Sequence, residues 1–155
     1  MQTSASPGWI AAILHRPILW HAARLLLVSA YILGGFAKLL DFAGAVAEQE
    51  HFGLHPGWLW AAAAIAIELG GSLLVVLNRF VWLGAGALGV LTFVAMLTAN
   101  AFWTMEGHDR FMAMNAFFEH LGLIAGLVVV SVLSEASAFG TNPAARAQTL
   151  QGVSR

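Results

Sequence analysis

Four long apolar runs separated by short polar stretches set the pattern of this chain: residues 18–40, 58–77, 80–103 and 112–134. Each is long enough to cross ~30 Å of hydrocarbon at a helical rise of ~1.5 Å per residue. Tryptophans mark the ends of the runs. Trp20, Trp58, Trp60, Trp82 and Trp103 fall there, and Trp9 comes just before the first run. An indole, with an apolar body and one N–H donor, suits the headgroup region. The pattern predicts an all-α membrane protein whose domain, residues 18–134, is a bundle of four transmembrane helices.

The connections predict how the helices are ordered. Asn78 and Arg79 leave room only for a tight turn, so the second and third helices are antiparallel neighbours. Residues 41–57 form a longer loop with Glu48, Glu50, His51 and His55. Its first part, 42–50, can hold a short helix that Gly53 and Pro56 would end. The third loop, 104–111, carries Glu106, His108, Asp109 and Arg110. Its histidine and the two in the preceding loop stand beside acids and read as water-facing; no metal site is expected. At the start, Ser6-Pro7 reads as an N-cap and first helical residue. Trp9, Ile10, Ile13 and Leu14 then give residues 1–17 an apolar face suited to the membrane surface. Residues 135–155 are rich in Ala, Ser, Thr and Gln and read as a mobile tail.

Composition sharpens this picture. Of the 155 residues, 59% are hydrophobic and 10% charged, against about 45–50% and about 25% for a soluble domain. A net charge of −1 with no basic cluster excludes a nucleic-acid partner. The absence of cysteine excludes disulfides, thiol chemistry and cysteine-ligated metal or haem. The first run holds Arg24 and Lys38 and lacks a small-residue cleavage site, so it reads as a retained helix, not a signal peptide. Arg16, Arg79, Arg146 and Arg155 lie on one side of the predicted bundle, with Arg24 toward that end of its span. Lys38 and Arg110 lie on the other. The positive-inside rule puts the first side, and both termini, in the cytoplasm. Small residues four apart recur in every run: Ala30/Gly34, Ala62/Ala66/Gly70, Ala85/Gly89 and Gly122/Gly126. In lipid such smooth stripes allow close helix contact.

Polar groups inside the spans carry the candidate chemistry, because a charge at mid-bilayer costs roughly 2.5–3.5 kcal/mol or more. Arg24, Tyr31 and Lys38 are seven apart, hence on one helix face. Glu68 and Ser72 share a face of the second helix, and Thr92, Met96 and Asn100 form a stripe on the third. Asn115, Glu119, Gly122 and Gly126 share a face of the fourth, with His120 turned ~100° away. Counting ~1.5 Å per residue from the outer surface, Lys38 lies at the interface. Asn100 and Asn115 lie ~5 Å deep, Tyr31, Glu119 and His120 ~10 Å, Glu68 ~15 Å and Arg24 ~21 Å. Depth alone therefore pairs Arg24 with Glu68 as a buried ion pair. It also gathers Tyr31, Lys38, Asn100, Asn115, Glu119 and His120 as a polar ligand pocket open to the outer leaflet. Two readings of that cluster stand: ion pairs that fix helix register, or a binding site.

Several short stretches fall into a familiar order. Arg24 is followed by Gly34-Gly35-Phe36-Ala37-Lys38-Leu39, then Gly53-Leu54-His55-Pro56, Glu68-Leu69-Gly70-Gly71 and Asn78-Arg79. In these the chain resembles the DoxX family of small four-helix bacterial membrane proteins, over roughly residues 24–131. The fourth helix departs: Glu119-His120 stands where the family often has Lys-Asn. The resemblance implies a multi-pass protein of the bacterial inner membrane linked to redox metabolism, since some relatives are subunits of a thiosulfate:quinone oxidoreductase. The resulting expectation is a quinone-associated subunit or accessory, with no covalently bound cofactor. Its expected partners are the lipid bilayer, a redox protein and further copies of itself. Two alternatives stand beside it: a non-enzymatic scaffold or assembly partner, and a path for a small solute or proton.

Overall fold

A computed structural model of the chain describes residues 6–141, with side chains placed through residue 137. Among the described residues the regular elements are all helical. They are α1 (Gly8–Leu14), α2 (Pro17–Leu40), α3 (Phe42–His51), α4 (Gly57–Val76), α5 (Val81–Ala99) and α6 (Gly107–Thr141), with a 3-10 turn at Phe102–Thr104. Four are long and apolar enough to cross a membrane: α2, α4, α5 with its continuation to Thr104, and α6. The outer surface of the bundle is what hydrocarbon demands. Leu26, Leu33, Val90, Phe93 and Val128 are all exposed on the spans, a surface that in water would be one large apolar patch. The chain is an all-α membrane protein with four transmembrane helices.

Helix boundaries have local causes. Pro17 opens α2, where a missing N–H costs nothing. Asp41 ends α2 and caps α3: its Oδ1 accepts from the Gly44 N–H at 2.9 Å, and a Cβ on Gly44 would collide with that carboxylate. The α4–α5 connection turns within four residues, 77–80, because Asn78 and Phe80 both take left-handed backbone angles, φ 56° and 49°. The last helix runs on to Thr141, past the start expected for the tail. The rest of that tail, residues 142–155, lies outside the described residues, as do residues 1–5 of the N-terminal segment.

Packing follows the order α2, α4, α5, α6, with α3 lying on α4 and a narrower contact returning from α6 to α2. The apolar core is built from Val28, Tyr31, Val75, Val81, Ala85, Leu88, Leu127 and Val130. On α4 the buried residues Ala61, Ala64, Glu68, Gly71 and Val75 alternate three- and four-residue spacings, the seam geometry of helices crossing at small angles. The smooth stripe expected there, Ala62/Ala66/Gly70, instead faces outward. Small side chains cost little against lipid, so their four-residue spacing alone does not mark a contact. The close approaches occur elsewhere. A Cβ on Gly84 would stand 2.7 Å from the Gly71 carbonyl oxygen, one on Gly35 2.7 Å from Leu69, and one on Gly126 2.8 Å from Leu27.

Candidate functional site

Four polar or charged side chains are buried among the described residues: Arg24, Glu68, Ser72 and Thr92. Glu68 is the centre of the candidate site. Its Oε1 accepts from Lys38 Nζ at 2.9 Å. Its Oε2 is buried and has no hydrogen-bond partner among the described residues. Gly34, one turn before Lys38, makes the space for this pair. A Cβ there would lie 3.5 Å from Glu68 Oε2 and 3.6 Å from Lys38 Nζ.

The expected Arg24–Glu68 pair is therefore not formed, and depth counting misplaced both partners. A helical side chain leans toward its own N-terminus. On α2 that direction runs toward Pro17, so Arg24 leans away from Glu68 and Lys38 leans inward along the bundle. On antiparallel α4 it runs toward Gly57, so Glu68 leans toward Lys38. The two long side chains close an offset that backbone heights leave open. Arg24 instead packs over Trp20, its Cζ 4.6 Å from the ring centroid, and its Nη2 donates to Ser134 Oγ at 2.9 Å. Its Nε and Nη1 have no hydrogen-bond partner among the described residues.

Tyr31 lies in the bundle centre, its hydroxyl 2.6 Å from Thr92 Oγ1. Thr92 gives its own proton to the Leu88 carbonyl at 2.7 Å, so the tyrosine O–H is the donor between them. Tyr31 thus ties α2 to α5, a link that needed Thr92, a residue noticed in the sequence only as part of a stripe. Asn100 is half-buried at the end of α5. His120 is half-buried and bonds the carbonyl of Ala116 on its own helix. Asn115 and Glu119 are exposed and have no partner among the described residues.

The contact between α2 and α6 gives these positions their setting. Helices α2 and α6 touch toward their Arg79 end, through Leu27 against Gly126 and Arg24 against Ser134. Two helical turns from Leu27, on the same face, is Gly34; two turns from Gly126, on the same face, is Glu119. Between them on α6, nothing lies within 4 Å of a Cβ on Gly122, which is exposed. Gly34 and Lys38 on α2 meet the Glu68 carboxylate of α4, while Asn115, Glu119 and Gly122 lie exposed on α6. Lys38 pairs with Glu68 and not with Glu119. The arrangement offers ammonium donors, an unsatisfied carboxylate oxygen and a second carboxylate, beside an apolar surface.

Comparison with known proteins places these residues in a family. The DoxX family model matches residues 19–101, more than half of the chain. That match covers Arg24, Tyr31, Lys38, Glu68 and Thr92 and stops before α6. The chain is also 25% identical over 117 residues to the inner membrane protein YphA of Escherichia coli (strain K12), covering 76% of this chain and 84% of that protein. No solved structure matches it. With four membrane-length helices and a family match running from α2 through α5, the chain belongs to the DoxX family.

Proposed function

We propose that this protein sits in the bacterial inner membrane as a quinone-associated subunit or accessory of a redox system, its quinone headgroup site between α2 and α6. The observation that carries this reading is the Lys38–Glu68 pair with its unsatisfied Glu68 Oε2. A quinone oxygen accepts hydrogen bonds, and a quinol O–H donates one. Lys38 has three N–H donors and spends one on Glu68, while Glu68 Oε2 is a free acceptor. The pair can therefore hold either redox form and hold a proton at the reacting oxygen. The electrons would come from a partner protein. An apolar tail would lie along the lipid-facing surface of the spans. The inner-membrane placement draws on the named location of the relative and on the four apolar helices.

The test is a titration of the purified protein with a short-tailed ubiquinone or menaquinone analogue. Saturable binding that weakens roughly tenfold in Lys38→Met, the loss of a charge-assisted hydrogen bond, is expected. The absence of saturable binding by either analogue overturns the proposal.

One observation favours a second reading, an assembly partner of another membrane complex. Glu119 and Asn115 lie exposed on a membrane-length helix with no partner of their own, and an unpaired carboxylate in lipid is costly. A partner helix bearing a donor would relieve it. On this reading Glu119→Gln leaves folding unchanged but lowers the yield of the co-purified complex; an unchanged yield removes the reason for it.

A further inference from the structure

Two cavities adjoin along the α5–α6 interface. The first, of about 430 Å³, is a groove lined by Trp82, Gly86, Gly89 and Val90 of α5 and by Val128 and Val132 of α6. Trp82, Val90, Val128 and Val132 are exposed on membrane-length helices, so the groove faces the hydrocarbon. The second, of about 410 Å³, has Asn78, Phe80, Ser134 and Glu135 among its walls, where the α4–α5 turn meets α6. Trp82 lines both. It is an indole at the end of its span, the level at which headgroups meet hydrocarbon. The apolar cavity and the polar one thus follow each other in the order in which a lipid presents its chain and its headgroup.

Length, polarity and charge say what fits. The groove runs from Trp82 to Phe93, roughly 16 Å at ~1.5 Å per residue. That is about half of the ~30 Å hydrocarbon thickness, the reach of an acyl chain from one leaflet, whereas a partner helix would run the whole span. The hydroxyl on the groove wall, Ser131, donates to the Leu127 carbonyl at 2.9 Å, so the groove asks for no polar occupant. In the polar cavity Ser134 is already engaged, giving its proton to Val130 and accepting from Arg24. Glu135 is the charged side chain on that wall; Arg79, next to Asn78 in the chain, is not part of it. A headgroup carrying an ammonium complements this wall and an anionic one does not. We infer that α5 and α6 hold an aminophospholipid of the leaflet at the Arg79 end, one acyl chain in the groove and its ammonium at Glu135. Gly86 and Gly89 make the room, since nothing lies within 4 Å of a Cβ on either. The same fact makes the site testable: a larger side chain there fills the groove without disturbing the packing of the bundle.

The experiment is native mass spectrometry of the full chain in detergent, titrated with phosphatidylethanolamine in one arm and with phosphatidylglycerol of the same acyl chains in the other. Saturable retention of phosphatidylethanolamine is expected, about threefold tighter than phosphatidylglycerol, the effect of one exposed charge pair. Glu135→Gln is expected to remove that preference and leave retention in place. Gly89→Leu is expected to abolish retention of both lipids with an unchanged thermal midpoint, and Gly86→Leu serves the same purpose if Gly89→Leu does not fold. Several results overturn the inference: no saturable retention, retention unaffected by the folded glycine variant, or a wild-type preference for phosphatidylglycerol. A preference that survives Glu135→Gln does the same. So does a wild-type dimer that Gly89→Leu converts to a monomer, which would assign the groove to a second copy of the chain.

Discussion

At the scale of single residues, the direction in which a helical side chain leans decides the partners. Lys38 and Glu68 lean toward each other from antiparallel helices and bond at 2.9 Å, although backbone heights place them far apart. Arg24 leans toward Trp20 and stays unpaired with any acid among the described residues. A double-mutant cycle separates these relationships. Glu68→Gln and Lys38→Met are expected to couple by about 2 kcal/mol in thermal unfolding, somewhat below a fully buried pair because Lys38 keeps some exposure. Glu68→Gln and Arg24→Gln are expected to be additive; coupling between them instead would restore the pairing that depth suggests. The sequence made these residues legible as polar groups inside spans, because charges there are conspicuous. It did not make their pairing legible. Residue counting gives the height of Cα atoms, whereas a pair of long side chains can bridge several ångströms of offset.

At the scale of helices, glycines set which elements meet. Gly71 and Gly84 let the backbones of α4 and α5 touch, with less than one methyl group of room between them. Gly84→Ala is expected to force these helices apart and cost about 1–3 kcal/mol, the usual penalty of overpacking. Gly86→Ala, two residues on, meets nothing within 4 Å and is expected to leave stability unchanged or slightly raised. Thermal unfolding in detergent compares the two; equal losses would mean that the crossing does not depend on Gly84. The four spans and the short helix after Asp41 were legible from hydrophobic runs and from Gly53 and Pro56. The contact faces were legible only in part. Tyr31, Glu68, Gly71 and Gly126 do point inward or make contacts, but Ala62, Ala66 and Gly70 face outward. Lipid removes the usual signal that separates inside from outside, because both faces of a span are apolar.

At the scale of the whole molecule, the described contacts between α2 and α6 lie toward one end of the bundle and the Lys38–Glu68 pair toward the other. Leu27 against Gly126 and Arg24 against Ser134 join α2 to α6; the proposed quinone site lies toward the other end, with Lys38, Glu68 and the exposed Glu119. From the Lys and Arg distribution, the Lys38 end is expected to face away from the cytoplasm. A topology reporter fused after Arg155 is then expected to read cytoplasmic and one inserted near Glu50 periplasmic, and the reverse pair of readings would invert the orientation. The family could be named from sequence because its short motifs lie in α2, α3–α4 and the α4–α5 turn. The setting of the proposed site could not, since it depends on how α6 lies against α2. Under the proposed function, a quinone headgroup binds between α2 and α6 beside Lys38 and Glu68. A photoreactive quinone analogue, cross-linked to the protein in membranes and mapped by peptide mass spectrometry, tests it most directly. Labelling is expected to be confined to residues around Gly34–Lys38 of α2 and Asn115–Gly122 of α6, competed away by unlabelled quinone and lost in Lys38→Met. Competable labelling that maps instead to the lipid-facing surface of α4 and α5, or labelling that unlabelled quinone does not displace, would contradict it.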